Sequence, residues 1–226
     1  MAQHSVETGD EAENAATAKA GVLTPRLPQD IGIRSQRQRI LEAMAKSCAE
    51  KTFSRTTIAD IVEHAGISRG TFYKHFANKE ECVFAAADAF LLELQGVGAI
   101  AYARSGDLPL NSVRDVIAAV LERLATKPEH TKLLLIEAPI VDPEVVRRYR
   151  SFVIGALKSM LQAGSNVARA KADPEIAFGR AKVLIVDYVA AGQSEDLPSL
   201  LPELVYIALL PYAGQAAALA QAKNAR

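Results

Sequence analysis

The sequence predicts an all-α chain: a three-helix N-terminal module containing a helix-turn-helix, then a larger helical body, about nine helices in total. Three observations point there. Half of the residues are hydrophobic but only 6% are aromatic, with no Trp; Ala and Leu dominate, and both keep their side-chain freedom in a helix. Apolar residues recur three and four apart, bounded by capping residues. Two short helical patterns flank a tight turn at Ala65-Gly66-Ile67-Ser68, the spacing of a helix-turn-helix.

Taken in order, residues 1–30 are polar and Ala-rich, with few branched apolar side chains, and are expected to form a disordered tail. Ser35 to about Ala49 reads as the first helix, with Ile40, Leu41, Met44 and Cys48 on one side. Thr57 opens the second, and Asp60 stands where it returns a capping-box contact. Ile58, Ile61, Val62 and Ala65 follow as one stripe, and Gly66 ends the helix where a left-handed residue is needed. Ser68 caps a short third helix through about Phe76. Asn78 caps a fourth, whose first turn carries Glu80 and Glu81 at the positive end of the helix dipole.

In the third helix Phe72 and Phe76 are four apart and face inward, beside Ile67. Arg69, Gly70, Thr71, Tyr73, Lys74 and His75 make the outward face. Gly70 weakens the helix by about 1 kcal/mol relative to Ala, which suggests that another backbone must approach closely there.

Charge supports the same module. Residues 26–80 carry ten Lys or Arg against six acids, whereas the whole chain has a formal net charge of +0. A basic segment on a neutral body is the footprint of a small DNA-reading unit. His75 has no second ligand at metal spacing on its face, so no metal is expected. Cys48 and Cys82 read as small buried apolar residues of a reducing, cytoplasmic compartment.

The body continues with helices expected over about 79–103, 110–126, 129–138, 143–164, 174–191 and 199–222, the last bent at Pro211. Asp142-Pro143-Glu144 and Asp173-Pro174-Glu175 resemble catalytic carboxylate pairs, but Asp as cap, Pro at the first helical position and Glu in the first turn is a complete helix start. Residues 197–220 are nearly uncharged and long enough to span a bilayer. Three prolines and the acidic flank Glu195-Asp196 favour a buried helix instead, so no membrane partner is expected.

The run Thr56-Thr57-Ile58, Ala65-Gly66-Ile67-Ser68 and Gly70-Thr71-Phe72-Tyr73-Lys74-His75-Phe76, then Asn78-Lys79-Glu80, resembles the DNA-binding region of the TetR family over residues 35–90. The resemblance implies a DNA-binding domain at 31–80 and an effector-binding and dimerisation domain at 81–226. It implies phosphate contacts from Thr57, Tyr73, His75 and Lys79, phosphate or base contacts from Thr71 and Lys74, and base readout by Arg69, with Ser68 and Gly70 completing the interface. Arg34 and Arg37 are expected as an arm near the minor groove. The family's core holds a ligand cavity; its expected lining here is Leu94, Val116, Val120, Phe152, Val153 and Leu157, with Glu137, Tyr149 and Asp187 as polar groups, suited to a small hydrophobic or amphipathic effector. The last two helices are expected to form a homodimer on a palindromic DNA operator. No nucleophile–base pair or phosphate loop supports an enzyme, and no cofactor is expected.

Overall fold

A computed structural model describes residues 28–106, 108–162 and 173–225, with side-chain surroundings from Ser35 onward. The tail expected over residues 1–30 lies outside this range up to residue 27. Helix α1 (Pro28–Lys51) begins well before Ser35, so Pro28–Asp30 are helical. The described residues from Gln36 onward make one compact unit.

The described residues are helical throughout, with no strand. After α1 come α2 (Ile58–Ala65), α3 (Arg69–His75) and the long α4 (Lys79–Arg104). Then follow α5 (Pro109–Thr126), α6 (Pro128–Lys132), a π-helical turn (Leu133–Glu137), α7 (Ala138–Val141) and α8 (Glu144–Gln162). The chain closes with α9 (Pro174–Ala190), a 3-10 helix (Ser194–Leu200), α10 (Leu201–Ala213) and α11 (Gln215–Lys223). The two Asp-Pro-Glu runs are helix starts: Asp142 Oδ1 accepts from Glu144 N–H at 2.8 Å and Asp173 Oδ1 from Glu175 N–H at 2.9 Å.

Two expected helices are subdivided. The sixth, placed at 129–138, becomes α6, the π turn and α7, because Ala138 N–H closes on the Leu133 carbonyl five residues back. The last, placed at 199–222, becomes the 3-10 helix, α10 and α11. Its break falls at Gly214, with φ at 79°, and not at Pro211, which sits buried inside α10. Residues 197–220 therefore form no single span. Helix α4 is the described helix with the length and apolar composition to cross a membrane, and it buries Cys82, Val83, Ala86, Ala87, Phe90 and Leu94 in the protein.

One core runs from Ile40 and Met44 of α1, through Ile61, Phe72 and Phe76, to Phe90 of α4 and on to Leu121, Leu133 and Leu197. A second set joins Val113, Leu161, Val205, Leu209 and Tyr212. Helix α4 belongs to the first core, which packs the N-terminal helices and the body together. Cys48 and Cys82 lie in it as free thiols; burial pushes Cys48 up to about 11 and Cys82 higher still, which leaves both in the unreactive protonated form.

Candidate nucleic-acid interface and the cavities of the body

The N-terminal module is built by its caps. Thr57 Oγ1 accepts from Asp60 N–H at 3.3 Å and Asp60 Oδ2 accepts from Thr57 N–H at 2.9 Å, a reciprocal capping box. Lys51 Nζ lies 2.7 Å from Asp60 Oδ1. That ammonium, with the Thr57 backbone and hydroxyl donors, lowers the Asp60 carboxyl to about 2. At the other end of α2, Gly66 takes φ 60° and ψ 45°, and its N–H reaches the Glu63 carbonyl. Ile67 N–H closes on Val62 carbonyl at 3.0 Å, which completes a Schellman end. Arg39 of α1 then donates to the carbonyls of Ala65 and Gly66. A second tie runs from Ser47 Oγ to His64 Nδ1, 2.9 Å apart.

This clamp fixes the direction of α3. Ser68 Oγ accepts from Thr71 N–H at 3.1 Å and lies 3.0 Å from Thr71 Oγ1. Phe72 is fully buried and meets Tyr73 edge-on at 5.6 Å and Phe76 at 5.8 Å. With Phe72 and Phe76 inward, Arg69, Gly70, Tyr73 and Lys74 are exposed, and Thr71 and His75 half-buried. Tyr73 is 56% exposed although it is a large aromatic. A Cβ on Gly70 would meet only Ser68 Oγ, at 3.7 Å, which is ordinary contact. No described protein atom therefore requires glycine there.

Other nominated residues are occupied differently. Lys79 is turned inward: its Nζ donates to the carbonyls of Phe53 and Thr56, each at 3.0 Å, and lies 4.4 Å from the Phe53 ring centroid. Two of its three donors are committed inside the protein, so its ammonium acts first as a strut. Thr57 and Ser68 are exposed but spend their hydroxyls on caps. Arg37 lies over the Phe76 ring at 5.2 Å, packed on the module and not extended as an arm. Arg34 falls outside the residues with described side chains. Nothing in the linear pattern distinguishes Arg39, the clamp, from exposed Arg37 two residues earlier.

The nine residues expected around an effector differ widely in exposure and surroundings. Leu94 is buried, and Val116 and Val120 pack where Gly98 lets α4 approach α5, with Val116 Cγ1 3.5 Å from a Cβ built on that glycine. Leu157 is half-buried against the second core. Phe152 and Val153 are 39% and 42% exposed, because α8 turns that side to the surface, and Asp187 is exposed on α9. Glu137 is buried, and its Oε2 accepts from Phe53 N–H at 2.8 Å. Tyr149 is buried against Phe178, 5.7 Å between ring centroids. Its hydroxyl finds no partner among the described residues, and burial pushes the phenol up to about 12.

Among the described residues, two cavities stand out, and the larger takes in Glu137 of the expected set. One of about 690 Å³ lies between the α1–α2 segment and the body, lined by Thr52, Phe53, Lys132, Ile136, Glu137 and Gly192 among others. Another of about 340 Å³ lies between α9 and α10, lined by Ile176, Arg180, Leu184, Tyr206, Leu210 and Pro211 among others. Ile176 and Val183 of α9 are 66% and 57% exposed.

A family model described as bacterial regulatory proteins, tetR family, matches residues 40–86, which include α2, the turn at Gly66 and α3. The chain is 32% identical over 160 residues to ArpR of Pseudomonas putida, described as a "probable HTH-type transcriptional regulator", covering 68% of this chain and 76% of ArpR. It is 27% identical to the HTH-type regulator YerO of Bacillus subtilis over 52% of this chain, a match that spans only 41% of YerO. Among solved structures, the transcriptional regulator FadR of Bacillus subtilis, in complex with stearoyl-CoA, superposes with a TM-score of 0.62 at 19% identity, covering 78% of this chain and 98% of FadR. The last likeness shows the fold, and the ArpR match extends well beyond the helix-turn-helix. The chain belongs to the TetR family of bacterial transcriptional regulators.

Proposed function

We propose that the protein is a cytoplasmic, ligand-responsive repressor that binds a palindromic operator as a homodimer and performs no catalysis. The observation that carries this reading is the outer face of α3. Arg69, Tyr73 and Lys74 stand exposed beside Gly70 on a helix whose inner face is locked by Phe72. Arg69 is assigned to base edges in the major groove. Thr71, Tyr73, Lys74 and His75 are assigned to phosphates, with backbone help from the ends of α2 and α3 at Thr57 and Ser68.

Residues 31–80 then serve as the reading module and 81–226 as the effector-binding and dimerisation body. Exposed Ile176 and Val183 on α9, with Tyr206, Ile207 and Leu210 on α10, support α9 and α10 as the two-fold interface. A small hydrophobic or amphipathic effector fits the Ala- and Leu-rich body. FadR, in complex with stearoyl-CoA, gives a precedent on this fold. Binding shifts α4, which joins module to body, and so changes the separation of the two α3 helices. The ligand must prefer one arrangement, by about 1–3 kcal/mol for a typical allosteric coupling.

The test is selection of the full-length protein against a random duplex library, followed by salt titration on the recovered sequence. A palindromic site, bound with an affinity that falls steeply in salt by about 0.9 log units per log salt for each phosphate neutralised, is the expected result. Recovery of no preferred duplex would remove the operator from the proposal.

A further inference from the structure

The α1–α2 segment, residues 52–57, carries the start of the helix-turn-helix, and its backbone and the end of α1 are held by two groups of the body, Lys132 and Glu137, together with Lys79 at the start of α4. Lys132 Nζ donates to the Ala49 carbonyl at 2.9 Å, in the last turns of α1. Glu137 Oε2 accepts from Phe53 N–H at 2.8 Å, across 84 residues of sequence. Lys79, the first residue of α4, holds the carbonyls of Phe53 and Thr56. Between these points Thr52 takes φ 67°, a left-handed conformation that a β-branched residue avoids. Strain of this kind persists only where surrounding contacts over-determine it.

The π turn explains how the body delivers two of these contacts. Lys132 and Glu137 are five residues apart, which on a regular α-helix places them about 140° apart around the axis. Closing i to i+5 brings such residues onto one side. Lys132 Nζ and Glu137 Oε1 are 4.0 Å apart, and Glu137 is buried. Both then face the same stretch of main chain. The cavity of about 690 Å³ alongside gives the segment room for a second arrangement.

We infer that Glu137 is a positioning residue for DNA binding, and that the π turn is a latch by which the body fastens the α1–α2 segment independently of α4. When the latch is closed, Phe53 N–H is held and Thr57 caps α2 in register with α3. When the π turn moves, the strained Thr52 relaxes and the reading helix loses its fixed base. The consequence for the operator rests on the proposed function; the fastening of the segment does not.

Two substitutions separate this role from simple core packing. Glu137→Leu fills the space without an acceptor, and Glu137→Gln keeps an acceptor oxygen without the charge. Hydrogen exchange on the full-length protein reads peptides covering 52–57 against peptides from α4 and α5. A bond to a buried carboxylate protects its donor by roughly ten- to a hundredfold. Glu137→Leu should therefore speed exchange at 52–57 by about that factor while α4 and α5 stay protected, and Glu137→Gln should restore most of it. The selected duplex should bind Glu137→Leu at least tenfold more weakly and Glu137→Gln nearly normally. Unchanged exchange at 52–57 overturns the latch, as does uniform acceleration across all helices. Lost protection with unchanged DNA affinity refutes the positioning role. If the wild type selects no duplex, the operator reading fails, while the exchange result still decides whether the latch exists.

Discussion

The guanidinium of Arg39 donates to the backbone carbonyls of both Ala65 and Gly66, and a Cβ built on Gly66 lies 3.0 Å from its Nη2. The turn of the helix-turn-helix is thus shaped by two demands at one residue. Gly66 must adopt φ 60°, and it must leave room for the cation that ties off α2. Substituting Gly66→Ala violates both. The expected loss is about 1–3 kcal/mol, the usual range for a non-glycine residue held in the left-handed region. Part of that loss is relieved when Arg39→Ala is added, because only the conformational cost remains. A double-mutant cycle in urea checks this, and strictly additive losses would mean that the two residues do not share the site.

At Gly70 stability and function should move in opposite directions. Its added Cβ meets only Ser68 Oγ at 3.7 Å, so Gly70→Ala is expected to raise the unfolding free energy by about 0.5–1 kcal/mol. The same methyl stands on the face assigned to DNA and should weaken operator binding. Arg69→Ala, at an exposed position, should leave stability within about 0.5 kcal/mol. It should also relax discrimination at one base pair by about 1–3 kcal/mol. Lys74→Ala should instead weaken all sequences alike and lower the salt slope by about one. Thermal melts beside binding isotherms separate these outcomes; a stabilised Gly70→Ala with intact affinity would detach α3 from DNA.

These predictions rest on residues whose roles were readable because their causes are local. Thr57 with Asp60, the left-handed Gly66, and Ser68 before Phe72 each act within four residues, and each cap stands where the pattern puts it. The body was legible only as helices. Glu137 lies on an apolar run and reads as a polar group aimed at a ligand, but its partner is the amide of Phe53, 84 residues away. No periodicity announces a π turn, and the packing that buries Tyr149 while Phe152 and Val153 of the same helix stay exposed is set by neighbours distant in the chain. Lys79 misled for a related reason: its place at the start of α4 suggests a phosphate contact, while the carbonyls of the α1–α2 segment claim its ammonium.

Tyr149 offers a direct test of the apolar body. Its hydroxyl is buried without a partner among the described residues, and such an orphan costs about 1–3 kcal/mol of desolvation. Tyr149→Phe removes the orphan and keeps the ring against Phe178, so the ligand-free protein should gain roughly 1 kcal/mol in urea unfolding. A loss of stability would show that the hydroxyl is satisfied in solution. An effector that uses the phenol as its polar anchor should then bind the variant more weakly, with its apolar contacts intact.

His130 is expected to contribute a pH dependence of stability just below neutrality. Its ring packs 5.5 Å from Phe90, and burial, then the Lys127 cation, lower its value below the ordinary 6.5; Glu129, Glu93 and Glu42 oppose the shift and do not cancel it. With the folded value depressed, the unfolded chain binds more protons between the two values. Stability is therefore complete above 6.5 and declines as pH falls through that window. His130→Gln cannot protonate and should show a flat profile there. Both proteins should share the separate acid limb at which Asp60, lowered to about 2 from 3.8, loses its charge and the capping of α2 fails. Urea midpoints measured from pH 8 to about pH 2 distinguish the two limbs. A wild-type decline below pH 6.5 that persists unchanged in His130→Gln would place the titrating group elsewhere.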